Sequence, residues 1–93
     1  MEDLGHRESE DLQVSRYYAS TGNYVAAYMR AKDAVRVVPE DSAAHFALAQ
    51  AAASLKKKTE AIAEYKACLQ LAPDGDYAAK ARKALGDLLP AAP

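Results

Sequence analysis

The feature that most limits how this chain can fold is a repeat whose period equals the separation between Pro39 and Pro73. Many residues before these prolines are identical or similar at the same separation, which we call the repeat offset. The matching pairs are Ala27 with Ala61, Tyr28 with Ile62, Ala34 with Cys68, Val35 with Leu69, Val37 with Leu71, Val14 with Leu48, Ala19 with Ala53 and Ser20 with Ser54. A fixed period of about 34 residues, with small residues and a closing proline, predicts a repeated helix–turn–helix unit.

The composition favours helices. The 93 residues are 51% hydrophobic and 27% charged, which is typical of one small globular domain. Alanine is abundant, and it is both the best helix former and small enough to let helices approach closely. No alternating pattern of a β-strand competes with this interpretation. We therefore expect an all-α domain of closely packed, antiparallel helices.

Turn and capping residues divide the chain into five predicted helices. Gly22-Asn23, Lys56–Lys58 and Pro73–Gly75 are the predicted turns between or after repeated segments. The predicted helices run from about Glu8 to Thr21, from a cap at Asn23 to near Pro39, from a cap at Asp41 or Ser42 to about Leu55, from Thr59 to Leu71, and from a cap at Asp76 to about Leu88.

Small and bulky residues recur within this period in an order that resembles the tetratricopeptide repeat. In a frame starting at Glu8 the first repeat has Val14, Ser15, Tyr18, Ala27, Ala31, Ala34 and Pro39 at the pattern positions. In a frame starting at Ser42 the second has His45, Leu48, Ala49, Ala52, Ala61, Tyr65, Cys68 and Pro73. Three residues depart from the pattern: Asp11 stands at a large apolar position, Ala52 replaces a tyrosine, and Lys56 replaces a turn glycine.

The resemblance implies an α-solenoid of two antiparallel helix-turn-helix repeats, 8–41 and 42–75, followed by a closing helix at 76–89. A mobile leader at 1–7 and a tail or linker at 90–93 are expected to flank this domain. In such proteins the first helix of each repeat lines a concave groove that binds a peptide. The groove positions carried over to this chain are Leu12, Arg16, Phe46, Gln50, Tyr77, Lys80 and Ala84.

Within this groove Phe46 and Tyr77 are expected to make apolar contacts, and Arg16 and Lys80 charged ones. The alternative is an ordinary solvated face. One subclass of the family clamps a C-terminal carboxylate, but of the five matching positions only Arg16 could hold one. The resemblance therefore predicts a protein–protein interaction module, a scaffold or adaptor, without the carboxylate clamp. Two alternatives stay open: head-to-tail self-assembly, and a structural segment of a longer solenoid.

The remaining residues give no support for catalysis or a cofactor. The chain has no glycine-rich phosphate loop, nucleophile elbow or paired histidines. His45 is expected to be a packed residue and Cys68 a buried, inert thiol. A formal charge of −1 gives no general attraction to nucleic acid or anionic membranes. The single cysteine, the absence of a long apolar stretch and a start unlike a signal peptide favour the cytoplasm for the chain as given, while export of a longer parent protein stays open.

Overall fold

A computed structural model describes residues 10–89, and within them the chain forms five α-helices joined by short turns, with no strand. The helices are α1 (Glu10–Ser20), α2 (Tyr24–Val37), α3 (Ser42–Ser54), α4 (Lys58–Leu71) and α5 (Ala78–Leu88). The predicted leader at 1–7 and the predicted tail at 90–93 lie outside the described residues. The all-α prediction is confirmed for the part of the chain that the structure describes.

Neighbouring helices in the chain are also neighbours in space, from α1 through α5, and α1 additionally touches α3. Two bonds show how α1 and α2 are aligned. Ser15, in the middle of α1, donates its hydroxyl to the carbonyl oxygen of Ala27 at 2.7 Å. Asp11, at the start of α1, accepts from Arg30 farther along α2 at 3.1 Å. Moving back along α1 means moving forward along α2, so the two helices are antiparallel.

The turns after α1 and α3, which are related by the repeat offset, have the same backbone conformation. Gly22 and Lys56 both have a positive φ, of 82° and 65°. The next amide in each turn bonds back to the helix: Asn23 N–H to Tyr18 O at 2.9 Å, and Lys57 N–H to Ala52 O at 2.8 Å. These are Schellman caps, which usually place glycine at the left-handed position. The second repeat therefore holds a lysine in a conformation that favours glycine.

Two of the predicted helix caps are present. The Asn23 side chain accepts from Ala26 N–H at 3.2 Å, and the Asp41 side chain accepts from Ala43 N–H at 3.0 Å. The predicted cap at Asp76 is wrong, because α5 begins only at Ala78 with Tyr77 as the flanking residue. Residues 73–77 form a turn before α5, and at its end Ala78 N–H donates to the Gly75 carbonyl at 3.1 Å.

Alanine dominates the core, as the composition predicts. One cluster joins α2 to α1 and α3 and contains Leu12, Ala31, Ala34, Ala44, Ala47 and Leu48. A second joins α3, α4 and α5 and contains Phe46, Ala49, Ala52, Ala61, Tyr65, Cys68, Ala81 and Leu85. Small side chains let the helices lie close together, and the few large ones fill the spaces that remain.

Candidate functional site

A cavity of about 240 Å³ opens between α1 and α3. Arg16 of α1 and Gln50 of α3, which are related by the repeat offset, both line it. The complete lining is Ser15, Arg16, Ala19, Tyr24, Ala47, Gln50, Ala51 and Ser54. The structure thus brings together two of the seven predicted groove residues in a single concave feature.

The cavity exists because the helices carry small residues where they face each other. Ala47 and Ala51 lie on successive turns of α3 and are both buried, so they leave an apolar floor. Gln50 and Ser54 are exposed and lie on the same helix. An apolar floor with amide, hydroxyl and guanidinium groups around it suits a side chain with an aliphatic stem and a polar head.

Arg16 reaches from α1 to Tyr77, immediately before α5. Its guanidinium donates a hydrogen bond to the Tyr77 hydroxyl. The guanidinium carbon also lies 5.6 Å from the centre of the Tyr77 ring, within the range of a cation–π contact. One side chain of the first helix is therefore held by the residue that precedes the last helix.

Tyr77 rests in turn on Phe46, and the two rings are stacked with centroids 4.8 Å apart. On its other side Phe46 meets Tyr65 edge to face, with centroids 5.7 Å apart. Such aromatic pairs add stability beyond their buried area. The three rings connect α3, α4 and the start of α5. Their packing holds the Tyr77 ring in the position at which it contacts Arg16.

Two predicted groove residues are not accessible to a partner. Leu12 is fully buried and belongs to the core cluster of α2 and α3, because α1 turns this side toward α3. Phe46 is only 6% exposed because Tyr65 and Tyr77 cover it. These two residues support the site from beneath. Lys80 is exposed on α5, and Ala84 is half-buried against the core, so neither lines the cavity.

The sequence analysis missed several cavity residues, including Tyr24, Ala19 and Ser54. Tyr24 belongs to the second helix of its repeat, while the predicted groove was assembled from first helices alone. Its neighbour Asn23 caps α2, which fixes Tyr24 at the mouth of the α1–α2 turn. The signal that could have found the cavity is the run of alanines in α3, because successive small residues on one face leave space beside them.

A second polar contact joins the repeats away from the cavity. The Tyr28 hydroxyl of α2 donates to the Glu60 carboxylate of α4, 2.7 Å from one oxygen and 2.9 Å from the other. This hydrogen bond, then burial and the charge of Glu60, raise the pKa of Tyr28 to about 12. The ammonium groups of Lys32 and Lys57 lie 5.2 and 5.3 Å from the ring centre. Tyr28 thus links the two repeats through a network that includes the basic turn.

His45 and Cys68 both pack in the interior, as expected. His45 lies with Nδ1 2.6 Å from a Glu64 oxygen and Nε2 2.7 Å from the Pro39 carbonyl. Cys68 is 1% exposed, and burial raises the pKa of its thiol. Burial, followed by the nearby Cys68, likewise raises the pKa of Tyr65. Across residues 10–89 no group of three or more His, Cys, Asp or Glu side chains is placed to hold a metal ion.

Comparison with known proteins gives no assignment. No protein-family profile matches this chain. No curated protein matches it either. Of the helices between residues 10 and 89, none combines the length and the apolar character needed to cross a membrane.

Proposed function

We propose that this chain is a tetratricopeptide-type protein–protein interaction module, which binds a short segment of a partner protein beside α1 and α3. It acts as a scaffold or adaptor and carries out no chemistry of its own. The observation that carries the proposal is the cavity between α1 and α3, with an apolar floor and with Arg16 and Gln50 in its lining. Such a cavity accepts one side chain of a peptide and orients it by hydrogen bonds.

Support for the repeat architecture comes from features that recur at the repeat offset. The left-handed turn residues Gly22 and Lys56 are one example. The buried residues Leu12 and Phe46, on the first helix of each repeat, are another example. The small, fully buried residues Ala27 and Ala61 are a third. A repeated backbone with small residues at equivalent helix contacts is what a tetratricopeptide-type array requires.

The site is held in place before any ligand arrives, which favours binding. Tyr77 restrains Arg16, and the Phe46 ring restrains Tyr77. A cation that is already positioned loses little side-chain entropy when a ligand binds. The partner segment would lie along α3, with one side chain on the alanine floor and its polar end toward Arg16 and Gln50.

The proposal is tested by selecting peptides from a random displayed library on the intact chain and comparing their affinities for two variants. Gln50→Trp fills the cavity from its exposed edge, while Gln70→Trp places the same bulk on the exposed side of α4. We expect the selected peptides to lose at least about tenfold in affinity for Gln50→Trp, equivalent to about 1.4 kcal/mol, and to keep their affinity for Gln70→Trp. Fluorescence anisotropy measures both.

Circular dichroism of the two variants checks that the helices are intact. Equal affinity of the peptides for both tryptophan variants would place the binding surface elsewhere and refute this site. Failure to select any peptide over repeated rounds would count against the interaction function itself.

The outward side of α1 bears on the alternatives of self-assembly and a longer array. Tyr17 is 64% exposed, while Ala51, its counterpart in α3, is buried. No helix among the described residues covers Tyr17. Beside it on α1, however, Glu10 and Gln13 are exposed, where α3 has the buried residues Ala44 and Ala47. A polar outer face is what a terminal repeat needs, so these residues favour a monomer that binds another protein.

A further inference from the structure

The two repeats contain one ion pair at the same structural position, with its charges exchanged. Asp11 of α1 meets Arg30 of α2 at 3.1 Å. His45 of α3 meets Glu64 of α4 at 2.6 Å. The repeat offset relates Asp11 to His45, and it also relates Arg30 to Glu64. The first repeat thus has its anion on the first helix, and the second repeat has its anion on the second helix.

The ring of His45 lies between two acceptors. Nδ1 faces the Glu64 carboxylate, and Nε2 faces the Pro39 carbonyl at 2.7 Å. Both partners are acceptors, and a neutral imidazole has only one N–H to donate. With a proton on each ring nitrogen, His45 donates to both partners and forms an ion pair with the Glu64 carboxylate.

Both pairs are shielded enough from water for the sign of the charge to matter. The side chains of His45 and Glu64 are 11% and 21% exposed, and those of Arg30 and Asp11 are 43% and 28% exposed. Partly buried charges are screened by salt less than fully exposed ones. Two carboxylates brought together at these positions would therefore repel each other more than fully exposed ones.

The small buried residues on facing helices do not by themselves distinguish the two repeats. Ser15 and Ala49 occupy equivalent positions on α1 and α3, and Ala27 and Ala61 do so on α2 and α4. All four are small and buried. At these positions alone, the first helix of one repeat could approach the second helix of the other as closely as its own, although Ala31 of α2 stands where α4 has the larger Tyr65.

We propose that the exchanged ion pairs are a pairing code, which directs each first helix to the second helix of its own repeat. If α1 packed on α4, Asp11 would face Glu64. If α3 packed on α2, His45 would face Arg30. The first arrangement brings two carboxylates together, and the second places His45 beside a guanidinium and away from its carboxylate, whereas both native pairs attract. Unfavourable charge contacts in the wrong arrangement add to the specificity that packing supplies. This inference does not depend on what the cavity binds.

The test gives both repeats the same charge order and keeps an attractive pair of charges in each repeat. The double variant Asp11→Lys/Arg30→Glu has the cation on the first helix in both repeats, so its mispaired arrangements are also attractive. The matched control Asp11→Glu/Arg30→Lys changes the same positions and keeps the native signs. Refolding from urea is followed by circular dichroism, and the products are separated by size-exclusion chromatography.

We expect the sign-exchanged variant to refold with an additional slow phase and a severalfold larger oligomer fraction that rises with protein concentration. The sign-preserving control should refold as the wild type does. If the two variants refold with the same phases and the same yield of monomer, the pairing code is refuted.

A third variant covers the case in which the exchanged charges prevent folding, since a lysine in the first turn of α1 opposes the helix dipole. Asp11→Asn/Arg30→Gln removes both charges of the first repeat and with them the unfavourable charge contacts of the mispaired arrangements. It should show the same slow phase or oligomers as the sign-exchanged variant. Refolding of this neutral variant like the sign-preserving control would also refute the code.

Discussion

Lys56 allows a stability change to be predicted in sign as well as in size. It is exposed, and it holds the left-handed position of a Schellman cap with φ of 65°, where the first repeat has Gly22 with φ of 82°. For a residue with a Cβ this conformation costs about 1–2 kcal/mol. Glycine removes that cost but raises the entropy of the unfolded chain, which costs about 0.4–1 kcal/mol.

The difference between these two effects predicts that Lys56→Gly is more stable than Lys56→Ala by about 0.8 kcal/mol. For a domain of this size the corresponding rise in Tm is about 3–6 °C. The alanine variant loses the same charge and keeps the backbone strain, so the comparison isolates the backbone. Urea denaturation followed by circular dichroism measures both free energies of unfolding. At positions with negative φ, an alanine variant is more stable than a glycine variant. Finding that order at position 56 would refute the reasoning.

Two further predictions concern the link between the repeats and the outer side of α1. Because the pKa of Tyr28 is raised from 10.0 to about 12 in the folded chain, its contribution to stability is complete below pH 10 and is lost as the pH rises toward 12. The Tyr28→Phe variant should lack this part of the pH dependence, and identical curves of unfolding free energy against pH would contradict it. The polar residues Glu10 and Gln13 around Tyr17 predict a monomer, so sedimentation equilibrium should give the mass of one chain at every concentration. A dimer that grows with concentration and disappears in Tyr17→Lys would instead favour self-assembly.

The sequence was sufficient for the features of the fold that depend on local chemistry. The five helices follow from the alanine content, the prolines at the ends of repeats and the caps at Asn23 and Asp41. The start of α5 was predicted too early. Asp76 is a good capping residue, but the turn bond between Ala78 and Gly75 keeps it outside the helix. Tertiary and turn geometry decided this boundary.

The candidate site was less accessible to sequence reasoning. The family resemblance placed Arg16 and Gln50 on one groove, and both line the cavity. The resemblance placed Leu12 and Phe46 there too, but their burial depends on the neighbouring helix and on Tyr77, which no periodicity encodes. The sequence also did not reveal the charge-exchanged pairs. It showed Asp11 only as a departure from the repeat pattern, because its partner Arg30 lies on the next helix.

The contact between Arg16 and Tyr77 has a consequence for how the chain loses its structure. The two residues are 61 positions apart and connect the first helix with the start of the last one. In an open array each repeat touches only its neighbours, so the ends can fray independently. Here detaching α5 would remove the cover of Phe46 and the anchor of Arg16 at the same time. These contacts couple the two ends of the described chain. A ligand that breaks the contact between Arg16 and Tyr77 would therefore destabilise the packing of α5.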